Sequence, residues 1–283
     1  MGDLIMNAEN IDEYDFPLKP SLLNNEFNNY VHILMNNLNA SLSNVRGMWD
    51  LFMDLDTIYV NIHQDLGISI DQKNVLSLSL FMLSQRFMRS STLLIFSTQL
   101  MEGLNVARMG IESAISANKI SVDPSLFYSW VQKDKGKKKL KEFNNIFRYE
   151  RWEGHRISEA REIKELKKLW DGYSNYYTHP TISGAGNWMD TSDFSEENLL
   201  KIASLEGDEE LIVQSIYSVL KCFTHIEILF FNSFETRLKF DTNLIDKINK
   251  YNIDLENIRK SIATKYKIGH YDKKPPEFFI LSD

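Results

Sequence analysis

The sequence predicts an all-α protein, a multi-helix bundle with long antiparallel helices, and two observations support this prediction. The six prolines stand at positions 17, 20, 124, 180, 275 and 276, which leaves two proline-free stretches, 21–123 and 181–274. Proline removes a backbone donor and clashes with the preceding helical turn, so long stretches without it favour helices. In both stretches the apolar residues recur every three to five positions, as on one face of a helix, rather than at every second position.

Composition limits the class of protein. The chain has 283 residues, a net charge of -7 and 43% hydrophobic residues, which is ordinary for a globular protein. Cys222 is the only cysteine, so an internal disulfide and a multi-cysteine zinc site are excluded. The acidic start, 1–20, lacks the basic and apolar regions of a signal peptide, and no uncharged run is long enough for a bilayer, so we expect a cytoplasmic protein without membrane contact.

The first half of the chain is divided by expected caps and glycines into four helices. We expect an irregular arm over 1–20 and then a single helical domain over 21–267. Ser21 is the expected N-cap of the first helix, and Gly103 is the expected bend of an antiparallel helical pair. The helices of this half are predicted at 21–38, 45–63, 75–101 and 104–119.

The second half contains shorter helical pieces, a long loop and two more helices. The loop is predicted at 178–195, which is rich in Gly, Ser and Thr. Asp208, Glu209 and Glu210 suit the start of a long helix because acidic groups stabilise helix N-termini. The predicted helices are 125–132, 138–147, 158–177, 208–238 and 244–266, followed by an apolar tail over 268–283 that docks on the body or on a partner.

Two pairs of polar residues stand out within apolar helices. Arg108 and Glu112 are four residues apart and share a helix face. They form either a structural ion pair or a positioned guanidinium and carboxylate lining a polar pocket. His225 and Glu227 lie in a segment that is apolar nearly all round, so a buried Glu227 needs a positive partner, for which Arg86, Arg89 and Arg108 are the candidates.

His179 is the remaining catalytic candidate. It precedes Pro180 at the end of an aromatic run that begins at Tyr173, beside the long loop. A histidine there either caps the helix or acts on a ligand, since it titrates near neutral pH. No paired spacing of metal ligands and no cofactor-binding motif occurs, so we expect no metal and no cofactor.

The segment 133–168 is the clearest charge anomaly. It holds thirteen Lys or Arg against seven Asp or Glu, a net of +6, so the remainder of the chain carries -13. Aromatic residues lie within it or beside it, and basic groups with aromatic faces are the means by which proteins bind single-stranded nucleic acid. The segment is either a solvated helix face or an RNA-binding surface, and the residues on which the second reading rests are Arg148, Arg151, His155 and Arg156.

The order of these features resembles a group of bacterial all-helical proteins of unknown function. Members carry a helical hairpin ending in an arginine-x-x-x-glutamate helix, here Arg108 to Glu112, and later an aromatic-serine-x-x-x-x-histidine segment, here Tyr173 to His179. The resemblance covers about 75–238. That group is distantly similar to the HEPN class, which includes metal-independent ribonucleases with an arginine and a histidine separated by four to six residues. No arginine stands at that distance before His179, and only three residues separate Arg151 from His155.

Three functions remain open from the sequence. The first is a non-catalytic helical binding or sensor module, acting with a protein partner or as a homo-oligomer in bacterial stress or phage defence. The second, implied by the resemblance, is a HEPN-like ribonuclease or nucleic-acid-directed toxin. The third is a small-molecule enzyme with an enclosed polar cavity around Glu112, His225 and Glu227.

Overall fold

The computed structural model describes residues 26–67, 74–152, 161–177, 209–234 and 242–267, and these ranges contain helices and no strand. The all-α prediction is therefore confirmed. The predicted N-terminal arm, the loop 178–195 and the C-terminal tail lie outside the described residues. The helices are α1 Glu26–Asn44, α2 Arg46–Gly67, α3 Val75–Phe96, α4 Leu100–Val122, α5 Leu126–Val131, α6 Lys137–Phe147, a 3₁₀ turn Tyr149–Arg151, α7 Arg161–Tyr177, α8 Glu209–Phe234 and α9 Thr242–Tyr266.

The predicted α3–α4 hairpin forms, but the prediction that Gly103 is its bend was wrong. The chain turns at residues 97–99, where Thr98 adopts a positive φ of 64°, and Gly103 lies inside α4. The reason is close packing, because a Cβ at Gly103 would stand 2.4 Å from Cγ1 of Ile95 and 3.0 Å from the carbonyl oxygen of Ser91. Glycine here serves the approach of two helices rather than a change of chain direction.

Serine hydroxyls bind the two helices of this hairpin together along their length. Ser77 donates to the carbonyl of Ala117 at 2.6 Å, and Ser84 donates to the carbonyl of Gly110 at 2.7 Å. All of these groups are buried, so each bond satisfies a donor that would otherwise be costly inside the bundle. The small residues and the hydroxyls together allow α3 and α4 to lie close to each other.

Helix α8 runs through the centre of the bundle against α2, α3, α4 and α7. Every residue from Cys222 to Phe231 is buried, which confirms the predicted central helix and the buried Cys222. Its aromatic rings interlock with α2 and α3, with Phe230 stacked 4.8 Å from Tyr59 and tilted 4.8 Å from Phe81. Among the described helices α8 alone has the length and composition of a membrane span, and 72% of the window that passes is buried inside the bundle.

The outer helices form two sides of the bundle. On one side α9 packs against α2 and α8, and on the other α7 packs against α4 and α8. The short helices α5 and α6 and the 3₁₀ turn follow α4 and lie near its C-terminal end. The basic segment predicted from the sequence therefore divides into two parts, an outer arm made by 133–152 and the exposed side of α7.

Candidate nucleic-acid interface

The outer arm, which we define as residues 133–152, carries eight basic and three acidic residues, a net of +5. With the described residues it forms one salt bridge, between Lys139 and Glu142 at 2.8 Å. The remaining exposed cations form no salt bridge in the part of the chain that the structure describes. They are Lys135, Lys137, Lys138, Lys141, Arg148 and Arg151.

The sequence of α6 explains why these cations face outward. Phe143 and Phe147 lie four residues apart, stack at 4.9 Å and turn the apolar side of α6 toward the bundle. The lysines at 137 and 141 share the opposite side. Gly136 precedes α6 with a φ of 104°, a conformation that favours glycine and allows the chain to enter the helix at this angle.

A buried lysine attaches the outer arm to the bundle. Lys119 on α4 is 1% exposed, and its Nζ donates to the carbonyl of Ile146 and the carbonyl of Arg151, each at 2.7 Å. Burial lowers the pKa of Lys119 to about 8. Trp152 adds a second attachment, since its ring packs edge-on against Trp170 of α7 at a centroid distance of 5.7 Å. The ammonium thus satisfies carbonyls that α6 and the 3₁₀ turn leave free at their ends.

Arg108 and Glu112 do not pair with each other but meet at Trp170 of α7. The guanidinium of Arg108 lies over the Trp170 ring at 4.4 Å, and Trp170 Nε1 donates to Oε1 of Glu112 at 2.9 Å. Glu112 is exposed, so the expected partly buried ion pair was wrong. The guanidinium is attracted to the negative face of the indole ring, which holds it away from Glu112.

The same tryptophan continues a stack that reaches the outer arm. Tyr149 stacks on Trp170 at 4.4 Å, and Nζ of Lys167 lies 4.7 Å from the centre of the Tyr149 ring. The Tyr149 hydroxyl also bonds to the carboxylate of Asp171. Predicted residues on α4 are thereby connected to α7 and the outer arm through aromatic faces.

His225 and Glu227 are fully buried, and Glu227 lacks the predicted arginine partner. Both carboxylate oxygens of Glu227 and both ring nitrogens of His225 lack a hydrogen-bond partner among the described residues. Arg89 is instead held by Asp56, with two bonds of 2.8 and 2.7 Å. Desolvation raises the pKa of Glu227 well above its ordinary value, and the nearby charge of Asp56 raises it further.

Burial has the opposite effect on the imidazole of His225. Desolvation, followed by the charge of Lys221, lowers the pKa of His225 to about 3. Desolvation therefore favours the protonated carboxyl of Glu227, and the imidazole of His225 is uncharged at neutral pH. The sequence identified these two residues correctly as unusual. In place of the expected salt bridge, burial favours the protonated carboxyl of Glu227 and the deprotonated imidazole of His225.

Of the predicted site residues that remain, the structure describes only Tyr173. Tyr173 is buried, and its hydroxyl lies 2.9 Å from Oγ of Ser218, so its ring is not free for a ligand. His155, Arg156 and His179 lie outside the described residues. Among the described residues no group of three His, Cys, Asp or Glu side chains could hold a metal ion.

The enclosed cavity expected for a small-molecule enzyme is not formed by Glu112 and Glu227. Glu112 lies on the exposed side of α4, whereas Glu227 is 0% exposed inside the bundle. A cavity of about 620 Å³ lies elsewhere, on the outer side of α7. Its lining residues are Tyr149, Arg161, Lys164, Glu165, Lys167, Lys168 and Asp171.

Two important residues were missed from the sequence. Lys119 follows Asn118 near the end of an apolar helix, where lysine ordinarily points to solvent, and nothing local marks it as buried. Trp170 is preceded by three apolar or basic residues in an amphipathic helix and resembles a core residue.

Comparisons with protein-family models, with curated proteins and with solved structures gave no significant match.

Proposed function

We propose that this protein is a non-catalytic helical binding module that holds single-stranded RNA on the outer arm. The observation that supports the proposal most strongly is the set of six exposed cations in 133–152 that form no salt bridge with the described residues. Ordinary surface lysines are accompanied by carboxylates, and here the arm is strongly positive while the chain as a whole is negative. A localised positive field of this kind attracts a polyanion to one side of the molecule.

The aromatic residues favour a backbone-led mode of binding. Tyr149 and Trp170 stack on each other, and Lys133 lies 4.3 Å over the Trp130 ring, so these faces are already occupied. Tyr128, which is 68% exposed, offers an aromatic surface for a base beside the arm. Phosphate contacts therefore supply most of the affinity, with little dependence on sequence and a strong dependence on salt.

The proposal is tested by fluorescence anisotropy with a short oligouridylate labelled at its 3′ end. We expect micromolar binding that weakens linearly with salt on a double-logarithmic plot. The triple variant Lys137→Gln, Lys138→Gln and Lys141→Gln should reduce the salt slope by about 2, since each phosphate contact to a single strand contributes about 0.7. These side chains are exposed, so the variant should fold normally.

A matched control removes the same charge from another part of the surface. Lys250→Gln, Lys260→Gln and Lys267→Gln neutralise three exposed lysines in and just after α9, which packs against α2. In this control the salt dependence of RNA binding should have the wild-type slope. Equal losses of RNA affinity in the two triple variants, or wild-type binding that does not change with salt, would disprove RNA binding by the outer arm.

One specific observation favours a second candidate, a metal-independent ribonuclease. Six residues separate Arg148 from His155, which is a spacing within the HEPN pattern, and Arg148 is exposed directly after α6. The same binding samples, incubated without metal and run on a denaturing gel, test this function. Cleavage that disappears in both Arg148→Ala and His155→Ala would support the ribonuclease. RNA that stays intact with the wild-type protein would rule it out and leave RNA binding as the proposed function.

A further inference from the structure

A second basic surface lies on α7 and uses residues other than those of α6. It is the cleft of about 620 Å³ whose floor is the outer side of α7 and whose wall is Tyr149 from the 3₁₀ turn. Its volume lies within the range of about 300–1,000 Å³ that is usual for small-ligand sites. The lysines of α6 line no part of this cleft.

The carboxylates of the α7 cleft are already engaged inside the protein. Glu165 accepts from Lys168 at 2.5 Å and lies 4.0 Å from Nζ of Lys221. Its pKa is lowered, against the effect of its own desolvation, by Lys168 and by Lys221, so it remains ionised at neutral pH. Asp171 accepts from the Tyr149 hydroxyl.

Two cations of the cleft remain available. Arg161 and Lys164 are both exposed, lie one helical turn apart on α7 and form no salt bridge within the described part of the chain. With four cations and two carboxylates in its lining, the cleft has a surplus of two positive charges. A guanidinium and an ammonium side by side match a compact oxyanion, since arginine binds phosphate with a two-pronged hydrogen bond and lysine adds a point charge.

We propose that the α7 cleft binds a terminal phosphate monoester, either at the end of an RNA strand or on a free nucleotide. A monoester carries close to two negative charges at neutral pH, whereas each phosphate inside a strand carries one. The surplus of two cations therefore discriminates an end from the middle of a strand. The site stands independently of RNA binding by the outer arm, because a free nucleotide needs none of the α6 lysines.

The experiment compares two oligouridylates that differ only in a 5′-phosphate or a 5′-hydroxyl, each labelled at the 3′ end. Wild-type protein should bind the phosphorylated strand about tenfold more tightly, which is the gain from one good charge-assisted hydrogen bond. Titration with unlabelled uridine monophosphate and with uridine distinguishes the free nucleotide as a source. Uridine monophosphate, but not uridine, should compete with the phosphorylated strand for the cleft. If no RNA binds, uridine monophosphate should still give saturable chemical-shift changes in an NMR titration.

Two double variants separate this site from the outer arm. Arg161→Gln with Lys164→Gln should abolish the preference for the 5′-phosphate and leave binding of the 5′-hydroxyl strand nearly unchanged. Lys137→Gln with Lys141→Gln should weaken both strands equally and preserve the preference. Lowering the pH from about 7.5 to about 5.5 should reduce the preference as well, because the monoester gains a proton near pH 6.

Each result decides the proposal. A wild-type protein that binds both strands equally, or a preference that survives the Arg161 and Lys164 changes, would overturn it. If neither strand binds, saturable binding of uridine monophosphate that is lost in the same double variant supports the cleft while RNA binding by the outer arm fails. Absence of binding by both the strands and the nucleotide would overturn both proposals.

Discussion

The interior of α8 and the outer arm both hold ionisable side chains that form no salt bridge with the described residues, with opposite consequences. In α8, Glu227 and His225 are fully buried, and desolvation shifts the pKa of each in the direction that favours the uncharged form. On the outer arm, Lys137 and Lys141 are exposed to solvent. A missing partner therefore indicates a site for an anion only where solvent keeps the group ionised.

Lys119 lies between these two extremes. It is nearly as buried as His225, yet its ammonium donates to two carbonyls and its pKa falls only to about 8. Carbonyl dipoles stabilise the charged form where a salt bridge is absent. The comparison teaches that burial alone does not decide protonation, since hydrogen-bond acceptors around the group compensate for the lost water.

The largest effect is expected from replacing Glu227 with leucine. In the folded protein the pKa of Glu227 lies well above its ordinary value of 4.5, so the folded state holds a proton that the unfolded state loses as the pH rises. Wild-type stability should therefore fall relative to Glu227→Leu as the pH rises from about 5 to about 7, with at most the slope that one bound proton allows. Urea unfolding of both proteins across this range measures the difference.

Glu227→Gln is the matched control for that experiment. It keeps the size and polarity of the protonated carboxyl but cannot ionise, so its stability should follow that of Glu227→Leu with pH and differ by a constant amount. A difference between wild type and Glu227→Leu that stays flat with pH would show that Glu227 titrates alike in the folded and unfolded states.

A smaller effect of the opposite sign is expected at His225. Its pKa is about 3 in the folded protein and 6.5 in the unfolded chain. Below pH 6.5 the unfolded state therefore binds a proton that the folded state does not bind. Wild-type stability should fall relative to His225→Leu as the pH drops from about 6 to about 4.5, by about 2 kcal/mol. The same urea measurement detects it, and a wild type that gains stability with acid would contradict the buried neutral imidazole.

The sequence predicted the helices far better than their partners. The predicted helices correspond to the described ones, because the buried face of a helix is visible in the spacing of its own apolar residues. The hairpin bend was misplaced at Gly103, since a glycine that permits close packing and a glycine that ends a helix look alike in one dimension.

The candidate site was only partly predictable for the same physical reason. The charge of 133–168 is a local property, and the structure places the described part of it on two exposed surfaces. The partner of Arg108 and Glu112 depends on contacts between distant segments. Trp170, 58 residues after Glu112, binds both members of the predicted ion pair, which no spacing along one helix could indicate.

The smallest effect on global stability, but the sharpest test of the connection between core and surface, is expected from Lys119→Met. Methionine fills a similar space and removes both bonds to the carbonyls of Ile146 and Arg151. The free energy required to open the outer arm locally should fall by about 1–2 kcal/mol, since two buried acceptors lose their donor. Hydrogen exchange measured by mass spectrometry should show faster exchange in peptides from 137–152 while α3 and α8 keep their protection.

Lys139→Met is the control, because Lys139 lies in the same arm and makes only a half-exposed salt bridge with Glu142. It should leave exchange in 137–152 close to that of the wild type. Lys119→Met should also weaken RNA binding, although Lys119 itself is buried, because the exposed cations lose their fixed arrangement. Unchanged exchange in the arm of Lys119→Met would show that Trp152 and the phenylalanines of α6 hold this surface without the buried ammonium.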